Sequence, residues 1–230
     1  MATLTALMLA APLLGLSLQI DVSMLEAPAV IVDPGAVLAA DFAIELNPPK
    51  EPSTADLIRK RNKIKKVHKW FGISTWSLMT LSVVSGFIQF HNQYGWWQSL
   101  GSTPCVQGTA VFSQKACSGV PVGHATLVAL TSAAYFTTFG LSFAMPDPLK
   151  VSEGNSDFAR KLRTHKVLRW VTFAGMIAQI GLGIVTANAD WFNIDRANNY
   201  KALRGIATGH LAVSLMTYGA MTWAGAIMVF

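Results

Sequence analysis

Four stretches of this chain, residues 70–90, 125–145, 167–187 and 211–230, each run without an acidic group. Each holds about 20 residues, and at about 1.5 Å per residue a helix of that length crosses a hydrocarbon layer of about 30 Å. A chain that must find an apolar environment for all four reads as all-α: an integral membrane four-helix bundle with the lipid bilayer as its first partner. Arg169 is the only charge inside any of the stretches, and it sits in a first turn, where a long side chain can snorkel to the interface. With 52% hydrophobic and 13% charged residues, the composition suits a protein whose solvent is largely lipid.

The net charge of +6 invites a nucleic-acid reading, but its distribution argues against one. Arg59, Lys60, Arg61, Lys63, Lys65, Lys66 and Lys69 precede the first stretch, and Lys150, Arg160, Lys161, Arg163, Lys166 and Arg169 lie between or just within the second and third. Residues 91–123 carry only Lys115, whereas 188–209 set Arg196, Lys201 and Arg204 against Asp190 and Asp195. Positive residues mark inner ends, so the Lys/Arg-rich ends face inside and these two loops face out. Nucleic acid is not an expected partner.

Cysteine usage bears on orientation independently. Cys105 and Cys117 are the only two, and both fall in the first outer loop. A disulfide closing that loop contributes roughly 3 kcal/mol in the chain-entropy model. Oxidation fits a periplasm or thylakoid lumen, hence a bacterial inner membrane or a thylakoid-type membrane. Two free thiols are the alternative; a zinc site is not, because two cysteines alone do not close its shell.

Residues 1–20 carry no charge and resemble the apolar part of a signal peptide, without the basic residues that precede one. An uncleaved anchor, or a segment lying along the inner interface, keeps the basic cluster on the correct face. Residues 21–56 hold seven of the twelve acidic residues, together with Pro28, Pro34, Pro48, Pro49 and Pro52. They read as an extended arm or linker, which gives three regions: 1–20, 21–58 and a membrane domain at 59–230.

Within that domain the chain repeats. His68-Lys69-Trp70 matches His165-Lys166-Val167 at an offset of 97, and glycines follow at the same offset, Gly86 and Gly183. The second and fourth stretches open on Gly123-His124-Ala125 and Gly209-His210-Leu211, with Gly140 and Gly225 deep in each. Two copies of a helix hairpin would produce this pattern. Helices one and three then enter from the inner side and two and four from the outer, so His68 can meet His165 inside and His124 can meet His210 outside.

Haem suits such pairs, because porphyrin iron leaves two axial positions on opposite faces, one for an imidazole from each of two helices. Two pairs imply two b-type haems, with His68 and His165 as ligands of the inner iron and His124 and His210 of the outer. Neutral imidazole is required, so each ring should donate its second N–H to a fixed acceptor. Gly72, Gly175, Gly181, Gly183 and Gly219 are candidates for giving a macrocycle room. These residues resemble the cytochrome b561-like two-haem membrane cytochromes over roughly residues 65–230. The resemblance implies a four-helix core, the same two histidine pairs and transmembrane electron transfer. The chain lacks the six spans of the usual eukaryotic members, and no segment matches their ascorbate-binding residues, so substrate identity does not follow.

His91 has no counterpart in the third stretch, where Asn188 stands, and reads as interfacial or as support for a ligand. Trp70, Trp96, Trp97, Trp170, Trp191 and Trp223 read mainly as headgroup markers. Soluble-enzyme motifs are absent: there is no Gly-x-Gly-x-x-Gly, P-loop, His-Glu-x-x-His or Gly-x-Ser-x-Gly. Two functions stand against each other. One is a membrane oxidoreductase or electron carrier exchanging electrons with quinol, a reductase or a cytochrome. The other is an accessory subunit of a larger photosynthetic or respiratory complex, whose histidines hold chlorophyll singly or hold nothing.

The expected topology is directly testable. An epitope inserted between residues 103 and 118 should be labelled by an impermeant reagent added from outside, and one at Ser156 should be protected. Labelling of both from one face rejects the four-span arrangement.

Overall fold

The computed structural model describes residues 51–113 and 117–229. The expected anchor at 1–20 and the linker up to residue 50 lie outside the described residues. The fold is all-α, built on four long helices: α1 (Thr54–Tyr94), α3 (Val122–Ala144), α4 (Asp157–Ala187) and α5 (Tyr200–Ala226). A single turn, α2 (Pro104–Gln107), lies in the loop between α1 and α3. α1, α3 and α4 are long and apolar enough to cross a membrane. In α5 the apolar run is interrupted by His210, by glycines and by the hydroxyl residues Ser214, Thr217, Tyr218 and Thr222, so no stretch of it matches the apolar stretches of the other three.

Helix starts follow local chemistry. Ser53 Oγ accepts the Asp56 N–H at 3.2 Å and opens α1 inside the segment expected to be linker. Ser156 Oγ accepts the Ala159 N–H at 3.2 Å and opens α4 well before its apolar run. Each cap satisfies one of the backbone donors that a helix start leaves free. α1 stops at Gly95, whose φ of +50° lets its N–H turn back to the His91 carbonyl at 2.8 Å.

α1 packs along α3, and α4 along α5; the two hairpins meet mainly through α1 and α5, with a slight contact of α3 on α4. α1 thus lies diagonally across from α4, and α3 from α5. The distribution of side chains is the reverse of a soluble core. Leu81, Val84, Leu130, Phe143, Val171, Ile177 and Met216 face outward, while Thr75, Ser82, Thr131, Thr172 and Thr217 are buried between helices. Their hydroxyls bond across the bundle, Ser82 to Thr131 at 2.9 Å and Tyr135 to Thr172 at 3.2 Å. Lipid supplies no hydrophobic drive between helices, so small residues and such bonds, each worth about 0.6 kcal/mol, hold them together.

The repeat runs through this interior. Thr75 and Thr172, and Met79 and Met176, stand at the offset of 97, and Thr131 and Thr217 at the offset that separates His124 from His210; all six are buried. Met79 and Met176, 2% and 1% exposed, close the centre together with Tyr135. Phe139 and Phe173 stack beside them, their ring centres 4.7 Å apart.

Each end has its own clamp. At the end with the Cys105–Cys117 loop, the first turns of α5 supply Tyr200, Leu203 and Ala207 to a cluster with Phe90 and Tyr94. Arg196 lies over the Tyr94 and Tyr200 rings at 5.2 and 5.5 Å and donates to the Gln93 carbonyl. Cys105 and Cys117 form the expected disulfide, their Cα atoms 5.4 Å apart. At the opposite end, the Arg169 guanidinium lies 4.1 Å from the Phe143 ring centre and donates to Ser142 Oγ at 3.1 Å, bridging α4 to α3.

Arg61 of α1 pairs with Asp147 in the loop after α3. Burial pushes the Asp147 carboxyl up, but the Val151 N–H at 3.2 Å and the Arg61 guanidinium outweigh it and hold the group below the usual carboxylate range. A depressed folded value gives stability that is fully present above the unfolded value of about 4 and is lost as pH falls through the lower folded one. Asp147→Asn should therefore lower the thermal midpoint of the detergent-solubilised protein at neutral pH, by an amount that shrinks steadily below about pH 4. A difference that stays constant down to about pH 2 would mean that Asp147 acts through packing alone.

Candidate functional site

The diagonal arrangement brings the four expected histidines together two by two. His68 on α1 faces His165 on α4, their ring centres 6.2 Å apart and their planes at 77°. His124 on α3 faces His210 on α5, at 6.4 Å and 88°. The first pair lies toward the Lys/Arg-rich starts of α1 and α4, and the second toward the opposite end, where the disulfide-closed loop lies.

Hydrogen bonds orient the rings. His68 Nδ1 donates to the Thr138 carbonyl at 3.0 Å and His165 Nδ1 to the Ala224 carbonyl at 2.9 Å. A carbonyl can only accept, so Nδ1 carries the proton, and in the neutral ring Nε2 is left with its lone pair. His124 reaches the same state through a side chain: Ser85 Oγ donates to the Ser82 carbonyl at 2.9 Å and accepts from His124 Nδ1 at 2.9 Å. His210 Nδ1 makes no bond of good geometry; its polar neighbour is the backbone of Gln179, the repeat counterpart of Ser82. An imidazole whose far nitrogen is fixed in this way is the form that binds a metal.

The spacing also fits. A metal midway between two imidazole nitrogens, each at about 2 Å, sets the ring centres roughly 6 Å apart. Among the described residues no group of three or more His, Cys, Asp or Glu side chains comes together. Each pair could therefore hold a metal only where the remaining ligands arrive with a cofactor, and a planar macrocycle with two open axial positions meets that condition.

Two glycines lie directly against the His124 and His210 rings. A Cβ on Gly86 would lie 3.2 Å from His124 Cε1, and one on Gly183 would lie 3.2 Å from His210 Cε1. A Cβ on Gly175 would run into the Thr217 hydroxyl, so that glycine serves helix packing, while Gly72 lies near Thr138 and Gly181 and Gly219 face open space. His91 joins neither pair and lies against Trp96, the ring centres 5.8 Å apart. Trp97 is docked rather than free at the interface, its Nε1 donating to Thr208 Oγ1 at 3.3 Å.

Sequence reasoning missed the acceptors. Thr138 and Ala224 each stand fourteen residues beyond the histidine of their own helix, His124 and His210, but they act through backbone oxygens, which leave no trace in residue type. Ser85 was visible only as the neighbour of Gly86.

Compared with known proteins, the chain matches no family model, no curated protein and no solved structure.

The two glycine contacts generate a matched test. Gly86→Val and Gly183→Val should push opposite rings of the same pair, with an overpacking cost of about 1–3 kcal/mol. Both should therefore deplete whatever the outer pair binds about tenfold and spare the inner pair, as read from the redox difference spectrum of the purified protein. Gly140→Val is the control, because nothing lies within 4 Å of a Cβ there. Equal loss at both pairs would show general misfolding.

Proposed function

We propose that the chain carries single electrons across a membrane through two b-type haems, the inner held by His68 and His165 and the outer by His124 and His210. The observation that carries this reading is the fixed tautomer. Three of the four rings donate from Nδ1, two of them to backbone carbonyls and one to Ser85, and turn Nε2 free. Interfacial anchoring of histidines would not require this, and the facing distances of 6.2 and 6.4 Å add to it. The resemblance to cytochrome b561-like proteins rests on the same four residues.

When bound, haem supplies an iron that changes oxidation state without making or breaking covalent bonds in the protein. The chain's own part is placement and insulation. Gly86, opposite His124, follows His68 by eighteen residues on α1, so the two pairs are separated by about 27 Å along the helix. Met79, Tyr135 and Met176 fill the middle and exclude water between them. Arg169 keeps a fixed cation at the inner end, where acidic groups of a cofactor or donor would be drawn.

In this reading all four long helices span, α5 included, with the Lys/Arg-rich ends inside and the Cys105–Cys117 loop outside. The host is a bacterial inner or thylakoid-type membrane, and the exchange partners are a quinol, a reductase or a soluble cytochrome.

An absorption spectrum of the purified protein comes first: a sharp reduced b-type band supports the carrier, whereas a chlorophyll band or no pigment supports the accessory-subunit alternative. His68→Ala and His165→Ala should then abolish the same inner signal, and His124→Ala and His210→Ala the same outer one. In vesicles the intact protein should let an external reductant reduce an enclosed oxidant, and loss of either pair should stop this. Undiminished relay in a variant without the outer haem would overturn the proposal.

A further inference from the structure

The second hairpin carries a feature that the repeat does not account for. Along α5 runs an open groove of about 610 Å³, lined by Tyr218, Gly219, Thr222, Trp223 and Ala226 among others, with Lys161 of α4 in its wall. No histidine lines it, so it is not part of either pair. At the offsets that relate the two hairpins, Ile64 stands for Lys161, Phe136 for Thr222 and Thr137 for Trp223. Residues that serve a duplicated pair should be duplicated, so this set serves something else.

The hydroxyls of the groove are already committed. Thr222 Oγ1 accepts from Trp76 Nε1 at 3.0 Å and donates to the Tyr218 carbonyl at 2.8 Å. The Tyr218 hydroxyl bonds Thr80 Oγ1 at 3.0 Å, and its ring stacks on Trp76. Apart from the indole N–H of Trp223, what remains is ring, methyl and glycine surface, which gives a polar occupant no return for its desolvation. Gly219 is open, with nothing within 4 Å of a Cβ there. From Tyr218 to Ala226 the groove follows α5 for about 12 Å, most of the depth of a leaflet of about 15 Å.

Lys161 supplies the opposite chemistry at one end. It is half-buried and stands about 9 Å of helix outside the apolar stretch that begins at Val167, so its long side chain reaches the headgroup layer. Its neighbour Arg160 is paired with Asp157, and Arg163 donates to the Ser152 and Gly154 carbonyls. No carboxylate among the described residues pairs with Lys161. A cation at the head of a groove without open hydroxyls fits an occupant that is anionic at one end and apolar along its length. A second copy of the chain does not meet this, because two-fold contact through the same face would bring two Lys161 ammonium groups to one depth with no anion between them.

We propose that the groove holds one anionic phospholipid, its phosphate on Lys161 and an acyl chain along Gly219. The proposal rests on the reading in which α5 spans the membrane, and not on haem.

The full chain, purified in detergent with its cofactors, is incubated with equal amounts of dioleoyl phosphatidylglycerol and dioleoyl phosphatidylcholine, and retained lipid is counted by native mass spectrometry. One phosphatidylglycerol should be retained in preference. Lys161→Gln should lower its retention about tenfold, and Lys161→Arg should preserve it. Gly219→Leu, which fills the groove and leaves the cation, should lower it as far. Lys63→Gln, which removes an exposed cation at the same end, should change nothing, and inorganic phosphate should not compete. An unchanged circular dichroism spectrum and thermal midpoint in each variant keep a folding defect from passing as lost binding. Equal losses in Lys161→Gln and Lys63→Gln would reduce the effect to the general charge of this end and overturn the site. Retention that ignores Gly219→Leu, or a lipid-free dimer that Gly219→Leu dissociates, would overturn it too. The placement of α5 is read separately: with both native cysteines in the disulfide, Met216→Cys in a nanodisc should be protected from a water-soluble maleimide. Labelling there removes the four-span reading and the lipid site with it, whereas protection without the phosphatidylglycerol preference removes the site alone.

Discussion

A histidine ring that lends one nitrogen to a backbone carbonyl can neither rotate nor exchange its proton freely, and the arrangement of this bundle follows from that tie. His68 is held by an oxygen of α3 and His165 by an oxygen of α5, so each inner ring is fixed by the helix next to its own. Within each hairpin, therefore, the register between helices also sets the direction of Nε2. A slide of one residue would move the carbonyl by about 1.5 Å and turn it about the helix axis, and the ring would lose its aim. The buried hydroxyl bonds and the close passage of Gly175 against Thr217 resist such sliding.

Packing and site are thus one arrangement seen at different depths. The centre is occupied by thioether and aromatic groups that bond weakly and fill space well, Met79, Met176 and Tyr135, with no charge among them. The two ends carry the guanidinium clamps, Arg169 at one and Arg196 at the other, each stacked on aromatic rings. A charge held over an aromatic face at the membrane edge costs less than one placed in the hydrocarbon, and it ties together elements that the apolar faces alone leave loosely joined.

Much of this could be read in the residues, because the relevant signals are strong in one dimension. Uninterrupted apolar runs announce helices, and the repeated Gly-His and His-Lys neighbours announced which helix entrances are equivalent. What failed had a common cause. α1 and α4 begin far earlier than their apolar runs, since the Ser53 and Ser156 caps are local hydrogen bonds that hydropathy does not register. The first turns of α5 were assigned to a loop because Lys201 and Arg204 hide the spacing of Tyr200, Leu203 and Ala207. The contacts of Arg169 with Phe143 and Ser142 on the neighbouring helix leave no trace in the sequence.

The pairing across diagonals bears on biogenesis. Each hairpin contains one histidine of the inner pair and one of the outer, so neither hairpin alone completes either pair. The first hairpin can insert and close its disulfide while the second is still being synthesised, yet it presents only solitary imidazoles. Both pairs come into being together, when α4 and α5 dock. A chain stalled halfway therefore presents no facing pair of imidazoles at either end.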